Sequence, residues 1–296
     1  MTMRRFLVAA GVLVTAAALA TPTASAAPTT VDAATVLSQL DAKSRAGVPD
    51  SVTGWYLDTA ANQVVVSVLR ADADGLAWAR SLGRSVRIDH TTARPQRMWD
   101  IIGGQALNFS QGRCSIGFSA RNNAGERFVL TAGHCTDLGG TVSGPGGTIG
   151  PVAGSSFPTN DYGIIRVTSS TALSTALVDR YSSGSDVTVI GSQVSRVGDR
   201  ICRSGSTTGW RCGTVQGTNQ TVNYGGGDIV RGLTRTSACA QPGDSGGPYV
   251  SDPVGGQVHA QGVLSGGSGN CTSGGTTFFQ PVREILSAYN VNLVTG

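Results

Sequence analysis

The segment Gly243-Asp244-Ser245-Gly246-Gly247-Pro248 sets a serine between glycines, with a carboxylic acid before it. Glycine permits backbone angles that a side chain forbids, and it lets a bound carbonyl approach main-chain N–H groups closely. That is the setting of a nucleophilic hydroxyl on a tight turn. A serine hydroxyl is a weak nucleophile alone. It needs a base within hydrogen-bond reach and a third group to orient that base. The chain has 3 histidines, His90, His134 and His259. His134 lies in Thr131-Ala132-Gly133-His134-Cys135, directly after the apolar run Phe128-Val129-Leu130, and is the candidate base. Asp161, in Thr159-Asn160-Asp161-Tyr162-Gly163, is the candidate orienting acid.

The order His134, Asp161, Ser245 is that of chymotrypsin-type serine proteases and differs from that of subtilisins and α/β-hydrolases. The three segments around these residues resemble those of the chymotrypsin superfamily. The flanking stretches at 112–118, 223–228 and 265–271 resemble its secreted bacterial branch of streptogrisins and alpha-lytic protease. The resemblance implies an all-β fold of two antiparallel β-barrels with a C-terminal helix. The barrels would take roughly residues 101–180 and 181–280, with His134 and Asp161 from the first, Ser245 from the second, and the site at their junction. Ser245 would attack a peptide carbonyl, His134 would carry its proton to the leaving amine, and Asp161 would hold the imidazole. The N–H groups of Gly243 and Ser245 would form the oxyanion hole. Disulfides Cys114–Cys135, Cys202–Cys212 and Cys239–Cys271 are implied, as is an internal ion pair between Arg203 and Asp244. With that pair, Arg203→Ala is expected to be severe and changes at Ile101 mild.

The resemblance also implies pocket walls from Ala240, Pro242, Ser265, Gly266 and Gly267, with Thr277 near the base. None of these segments holds a carboxylate or a histidine. Selection of Lys, Arg or Glu is therefore not expected, and Phe, Tyr, Leu or Met before the cut is. The 265–267 main chain is expected to take an extended substrate as an added strand. A rival reads Gly243-x-Ser245-x-Gly247 as the nucleophile elbow of an α/β-hydrolase, with Asp252 and His259 following in order. It fails on context, because the elbow needs a strand before and a helix after, and fifteen residues leave no room for α/β units. A second alternative is a secreted binding protein on an inactive protease scaffold. The presence of His134, Asp161 and Ser245 together speaks against it.

Composition sets the compartment and the partners. The 296 residues carry a formal charge of +4, only 14% are charged, and Lys43 is the lone lysine, so no basic block indicates nucleic acid or an anionic membrane. Residues 1–27 read as a signal peptide: Arg4 and Arg5, a short apolar run, then Ala24-Ser25-Ala26. Export implies an oxidising compartment, so the 6 cysteines read as disulfides, with spacing alone leaving their pairing open. No CxxC occurs and one histidine lies beside a cysteine, so no metal and no cofactor is expected. A monomer acting on polypeptides is expected.

Residues 28–100 lack cysteine and read as helix, hairpin, helix and strand, with Val31, Ala34, Leu37 and Leu40 at helical spacing. The second helix is expected over 71–82. This small α+β unit resembles the pro-regions of streptogrisin-type precursors, implying an inhibitor and folding aid; an independent binding domain is its alternative. It ends near Met98-Trp99-Asp100-Ile101-Ile102-Gly103-Gly104, with the cut expected after Trp99 or Asp100. Residues 101–296 read as short strands between turn residues, and then one helix with Pro281 at its first position and Val282, Ile285, Leu286 and Tyr289 on one face.

Overall fold

The computed structural model of the chain describes residues 32–69, 72–81, 83 and 85–296. The expected signal peptide and the expected ends of the second helix at Ala71 and Leu82 lie outside the described residues. The chain forms two compact units, one ending at Pro95 and one running from Gln96 to Gly296.

In the first unit, helix Ala33–Ser44 precedes the antiparallel hairpin of strands Val52–Asp58 and Gln63–Leu69. Helix Ala73–Arg80 then crosses over to strand Val86–Thr91, which runs parallel to Gln63–Leu69. A parallel partner requires such a crossover. Asp72 caps the second helix by accepting from the backbone N–H groups of Asp74 at 2.8 Å and Gly75 at 3.1 Å. Ala33, Val36 and Leu40, one face of the first helix, pack on Val64, Val66 and Val68.

The second unit holds two sheets. One runs in space from Asn292–Leu293 through Phe118–Arg121, Arg127–Thr131, Tyr162–Arg166, Gly147–Ser156, Thr141–Gly144 and Ala106–Phe109 to Gly112–Ser115. The other runs Pro248–Ser251, Arg200–Arg203, Arg211–Asn223, Ile229–Thr236, Gly274–Pro281, Gln257–Asn270, Val187–Ser192, Ala172–Val178, Trp99–Gly103. A further pairing of Pro248–Ser251 with Gln257–Asn270 closes the first six of these into a ring. Leu107, Ile116, Val129, Val142, Ile149 and Ile165 fill one interior. Ile201, Val215, Tyr249, Leu264 and Phe279 fill the other. A third cluster joins Phe118, Leu130 and Ile164 of one sheet to Val189, Val250 and Val263 of the other, under helix Val282–Tyr289. The disulfides are Cys114–Cys135, Cys202–Cys212 and Cys239–Cys271.

Three expectations change. The boundary near residue 180 is not a clean cut. Trp99–Gly103 and Ala172–Val178 belong to the second sheet, and Asn292–Leu293 crosses back to the first. Pro281 is the N-cap rather than the first helical residue, with φ −62° and ψ 132°, because it still ends the strand paired with Gly262. Ile101 is fully buried within the first interior. Its strand pairs in parallel with Ala172–Val178, and the Trp99 ring covers Gly144 and Gly146, where an added Cβ on Gly146 would stand 2.1 Å from it.

Position 101 is therefore a packing position, and changes there are not uniformly mild. Ile101→Ala is expected to cost about 2–5 kcal/mol and Ile101→Val about 0.5–1.5 kcal/mol in denaturant unfolding. Equal, severe losses for both would point to a role other than packing.

Candidate active site

His134 sits on the single turn Gly133–Thr136 that follows strand Arg127–Thr131. Its neighbour Cys135 ties that turn to Cys114. Gly133 is required there, since a Cβ would lie 2.3 Å from the Ser156 carbonyl oxygen. Asp161 directly precedes strand Tyr162–Arg166, which pairs with Arg127–Thr131. Adjacent strand ends thus bring the two residues together. The Asp161 carboxylate is buried, and the His134 side chain is 30% exposed.

Asp161 Oδ1 accepts the His134 backbone N–H at 2.9 Å, and Oδ2 lies 2.9 Å from His134 Nδ1. A carboxylate can only accept, so Nδ1 carries the proton and Nε2 presents a lone pair to the cleft. Burial of the imidazole opposes its protonation. The hydrogen bond and charge of Asp161 outweigh that, and the His134 pKa rises above its ordinary 6.5.

Two further groups hold Asp161. Ser265 Oγ donates to Oδ2 at 2.6 Å, and Tyr224 OH lies 3.0 Å from Ser265 Oγ. Burial pushes the Tyr224 phenol up to about 12, so it stays a donor. The Asp161 backbone N–H donates to Gln280 Oε1 at 2.9 Å, while Gln280 Nε2 donates to Glu284 Oε2 at 2.7 Å. The resemblance assigns Ser265 to the pocket wall; its side chain instead supports Asp161. Gln280 escapes the motifs altogether. Its signal is a polar residue at the end of the apolar pair Phe278-Phe279.

The Ser245 loop is fixed from behind. Thr207 Oγ1 donates to the Pro242 carbonyl at 2.8 Å, and the Gly247 N–H donates to the Asp244 carbonyl at 3.0 Å. Those carbonyls share peptide planes with the N–H groups of Gly243 and Ser245, which therefore point the opposite way. Among the described residues neither N–H has an internal acceptor. Gly243 has φ +96°, and a Cβ there would meet Thr207 Oγ1 at 2.4 Å.

Arg203 and Asp244 meet at 3.1 Å with neither side chain exposed to solvent. The carboxylate also accepts from the N–H groups of Thr207, Thr208 and Gln241 at 2.9–3.0 Å, and from Thr208 Oγ1 at 2.7 Å. Arg203 Nε donates to the Cys239 carbonyl at 2.7 Å, and Nη2 also donates to Thr208 Oγ1. Burial lowers the Arg203 pKa and Asp244 opposes that shift.

Two cavities flank these groups. One, of about 480 Å³, is lined by Ala240, Gln241, Pro242, Ser245 and Leu264, and carries no charged side chain. The other, of about 380 Å³, is lined by His134, Phe157, Asp161, Tyr224 and Asp228. Gly266 and Gly267 border both. Ser245 Oγ makes no hydrogen bond to His134 here; such contacts often tighten only with substrate. Thr277 lines neither cavity. It is buried, bonded to Thr236 Oγ1 at 2.9 Å and to the Ala238 carbonyl at 2.5 Å.

The other histidines stand apart. His90 lies on strand Val86–Thr91 of the first unit. His259 lines a separate cleft with Asp252, and Asp252 pairs with Arg200 at 2.9 Å, so neither serves Ser245. Cys114, His134 and Cys135 come close together, but the two sulfurs form a disulfide and offer no thiolate to a metal.

Two outcomes follow from this geometry. An NMR titration of His134 should give a midpoint above 6.5, and Asp161→Asn should bring it below, because burial then acts unopposed. An unchanged midpoint would remove Asp161 as the cause. Arg203→Ala should cost about 3–5 kcal/mol of unfolding free energy, since it leaves the Asp244 charge buried and unpaired. Adding Asp244→Asn should recover part of that loss, and no recovery would contradict the ion-pair account.

A trypsin family model matches residues 101–288, and an alpha-lytic protease prodomain model matches residues 33–85. The chain is 46% identical to streptogrisin-C of Streptomyces griseus over 266 residues, which is 88% of this chain and 56% of that protein. It thus spans little more than half the length of that relative. A protease from Nocardiopsis is 51% identical, with 67% of this chain and 100% of that chain covered and a TM-score of 0.62. A chymotrypsin from Cellulomonas bogoriensis is 48% identical over 67% of this chain and 100% of its own, at a TM-score of 0.57. The chain belongs to the trypsin family of serine proteases, on its streptogrisin and alpha-lytic protease branch.

Proposed function

We propose that the chain is a secreted serine endopeptidase, made as a precursor, that cuts polypeptides after large apolar residues. The observation that carries this is the neighbourhood of two cavities that share Gly266 and Gly267: one is lined by Ser245, the other by the His134–Asp161 pair, and the N–H groups of Gly243 and Ser245 have no internal acceptor among the described residues. Ser245 Oγ attacks the carbonyl as His134 Nε2 takes its proton. The oxyanion gathers the two N–H donors, each worth about 3–4 kcal/mol of barrier. His134 then protonates the leaving amine, and water repeats the steps on the acyl-enzyme.

The uncharged cavity beside Ser245 supports apolar selection. A buried Lys, Arg or Glu side chain would find no counter-charge there and would be costly to desolvate. The substrate main chain has an open edge. Strand Gln257–Asn270 pairs with Pro248–Ser251 only as far as Val263, while Gly266 and Gly267 pair on the other side with Phe278 and Thr277. An extended peptide completes the sheet at that edge. Disulfides suit an exported protein, and among the described residues no helix is long and apolar enough to cross a membrane. The prodomain-like unit acts as inhibitor and folding aid, and the mature enzyme works as a monomer.

The test is a chromogenic tetrapeptide series varied only at the residue before the cut. Wild type should turn over Phe, Tyr, Leu and Met peptides, and Ser245→Ala should lose about 10⁶-fold in kcat. Fastest cleavage after Arg or Glu would refute the pocket assignment. No turnover by disulfide-intact, processed protein would support the binding-protein alternative.

A further inference from the structure

A charged side chain stands behind the peptide unit that supplies one of the two free donors. Arg113 lies on strand Gly112–Ser115. Its Nη2 donates to Thr207 Oγ1 at 2.8 Å, and its Nη1 donates to the Ser206 carbonyl at 3.3 Å. Thr207 Oγ1 in turn donates to the Pro242 carbonyl at 2.8 Å. Chemistry fixes the direction of this chain. A guanidinium only donates, a carbonyl only accepts, and a hydroxyl has one proton to give. That proton goes to Pro242, so Arg113 bonds to a lone pair of the threonine oxygen.

The Pro242 carbonyl and the Gly243 N–H belong to one peptide unit. Hydrogen bonds in a chain polarise one another, by roughly 10–30% per bond. A bond from an ionised donor is the strongest member of such a chain. A cation at its head therefore draws electron density toward itself and makes the Gly243 N–H a stronger donor. The approach is close. A Cβ on Gly243 would stand 2.4 Å from Thr207 Oγ1, 2.9 Å from Arg113 Nη2 and 3.4 Å from Arg113 Cζ. Gly243 has φ +96°, so glycine serves both the turn and this contact.

The charge on Arg113 is also uncompensated. Among the described residues it joins no ion pair. The carboxylate of the same loop, Asp244, is paired with Arg203 instead. Arg113 is exposed, so water weakens its field without cancelling it.

We propose that Arg113 is a positioning residue for the oxyanion site, polarising the Gly243 N–H through Thr207 and the Pro242 carbonyl. This rests on the endopeptidase activity proposed above. Arg113 touches neither substrate nor Ser245 in this role. Its effect belongs to the transition state, because an oxyanion gains more from a strengthened donor than a neutral carbonyl does. A tie that merely joined two loops would act on stability instead.

The test compares secreted, processed wild type with Arg113→Met, which keeps the aliphatic stem. With peptide anilides, kcat and kcat/KM should fall together by about three- to fivefold, with KM unchanged. A rise in KM alone, or a lowered denaturant midpoint that accounts for the loss, overturns the proposal. Arg113→Lys keeps the charge and should recover at least half of the loss; a loss equal to that of Arg113→Met overturns the electrostatic account. At about 1 M salt, where the Debye length is about 3 Å, the difference should narrow to about twofold. Thr207→Val should cost activity by itself and should shrink the further effect of Arg113→Met; additive losses overturn the route through Thr207. The direct readout is a peptide trifluoromethyl ketone labelled with carbon-13 at its carbonyl. Ser245 Oγ adds to that carbon, its proton passes to His134, and the hemiketal oxygen titrates by NMR. Arg113→Met should raise the hemiketal pKa by about 0.5 relative to wild type, equivalent to about threefold. An adduct with an unchanged pKa overturns the role of Arg113, whereas no adduct at Ser245 in wild type would instead overturn the endopeptidase reading.

Discussion

One buried carboxylate sets the conformation of the Ser245 loop. Asp244 has no exposure, so each of its oxygens must find donors or the ionised group would be far too costly to bury. Three backbone N–H groups, a threonine hydroxyl and the Arg203 guanidinium supply them. Satisfying that set fixes residues 207, 208 and 241 around residue 244, and Ser245 is the next residue along. The constraint reaches outward. A Cβ on Gly205 would stand 2.5 Å from Asp244 Oδ1, and Arg203 Nε in turn holds the carbonyl of Cys239, which is bonded to Cys271.

A second constraint is reciprocal. Each sheet carries half of the candidate machinery, and each half is held by polar groups of the other. Ser115, on the sheet that bears His134, donates its N–H to the Ser245 carbonyl at 2.7 Å and its hydroxyl to the Gly243 carbonyl at 2.8 Å. Ser265 and Gln280, on the sheet that leads to Ser245, hold Asp161. A slip between the sheets would break bonds on both sides at once, leaving buried polar groups unpaired. The apolar cluster between the sheets sets their approach, and these polar bonds set their register.

Much of this is legible in the sequence, and the part that is not has physical causes. The triad candidates lie in local motifs, and the first unit's elements follow helical and alternating patterns that each element carries within itself. The C-terminal helix declares itself by Val282, Ile285, Leu286 and Tyr289. Ser265 is harder, because its hydroxyl faces Asp161 from 104 positions away, and no local pattern marks which side of a glycine-rich strand it faces. Thr277 is buried and pairs with Gly267, which lines the cavity, so it lies behind the wall and its side chain lines neither cavity. The exchange of strands between sheets involves Trp99–Gly103 and Asn292–Leu293, short segments whose partners are set by distant packing.

The burial of Ile101 and the pairing of Arg203 with Asp244 have one joint consequence. Because a side chain supplies the cation, no terminal amine is needed at Asp244, and the strand Trp99–Gly103 is free to be an ordinary edge strand. A new terminus ahead of that strand would then add no charge at the Ser245 loop. Among the described residues the N–H groups of Gly243 and Ser245 have no internal acceptor. The conformation of the Ser245 loop therefore does not depend on a charged chain terminus.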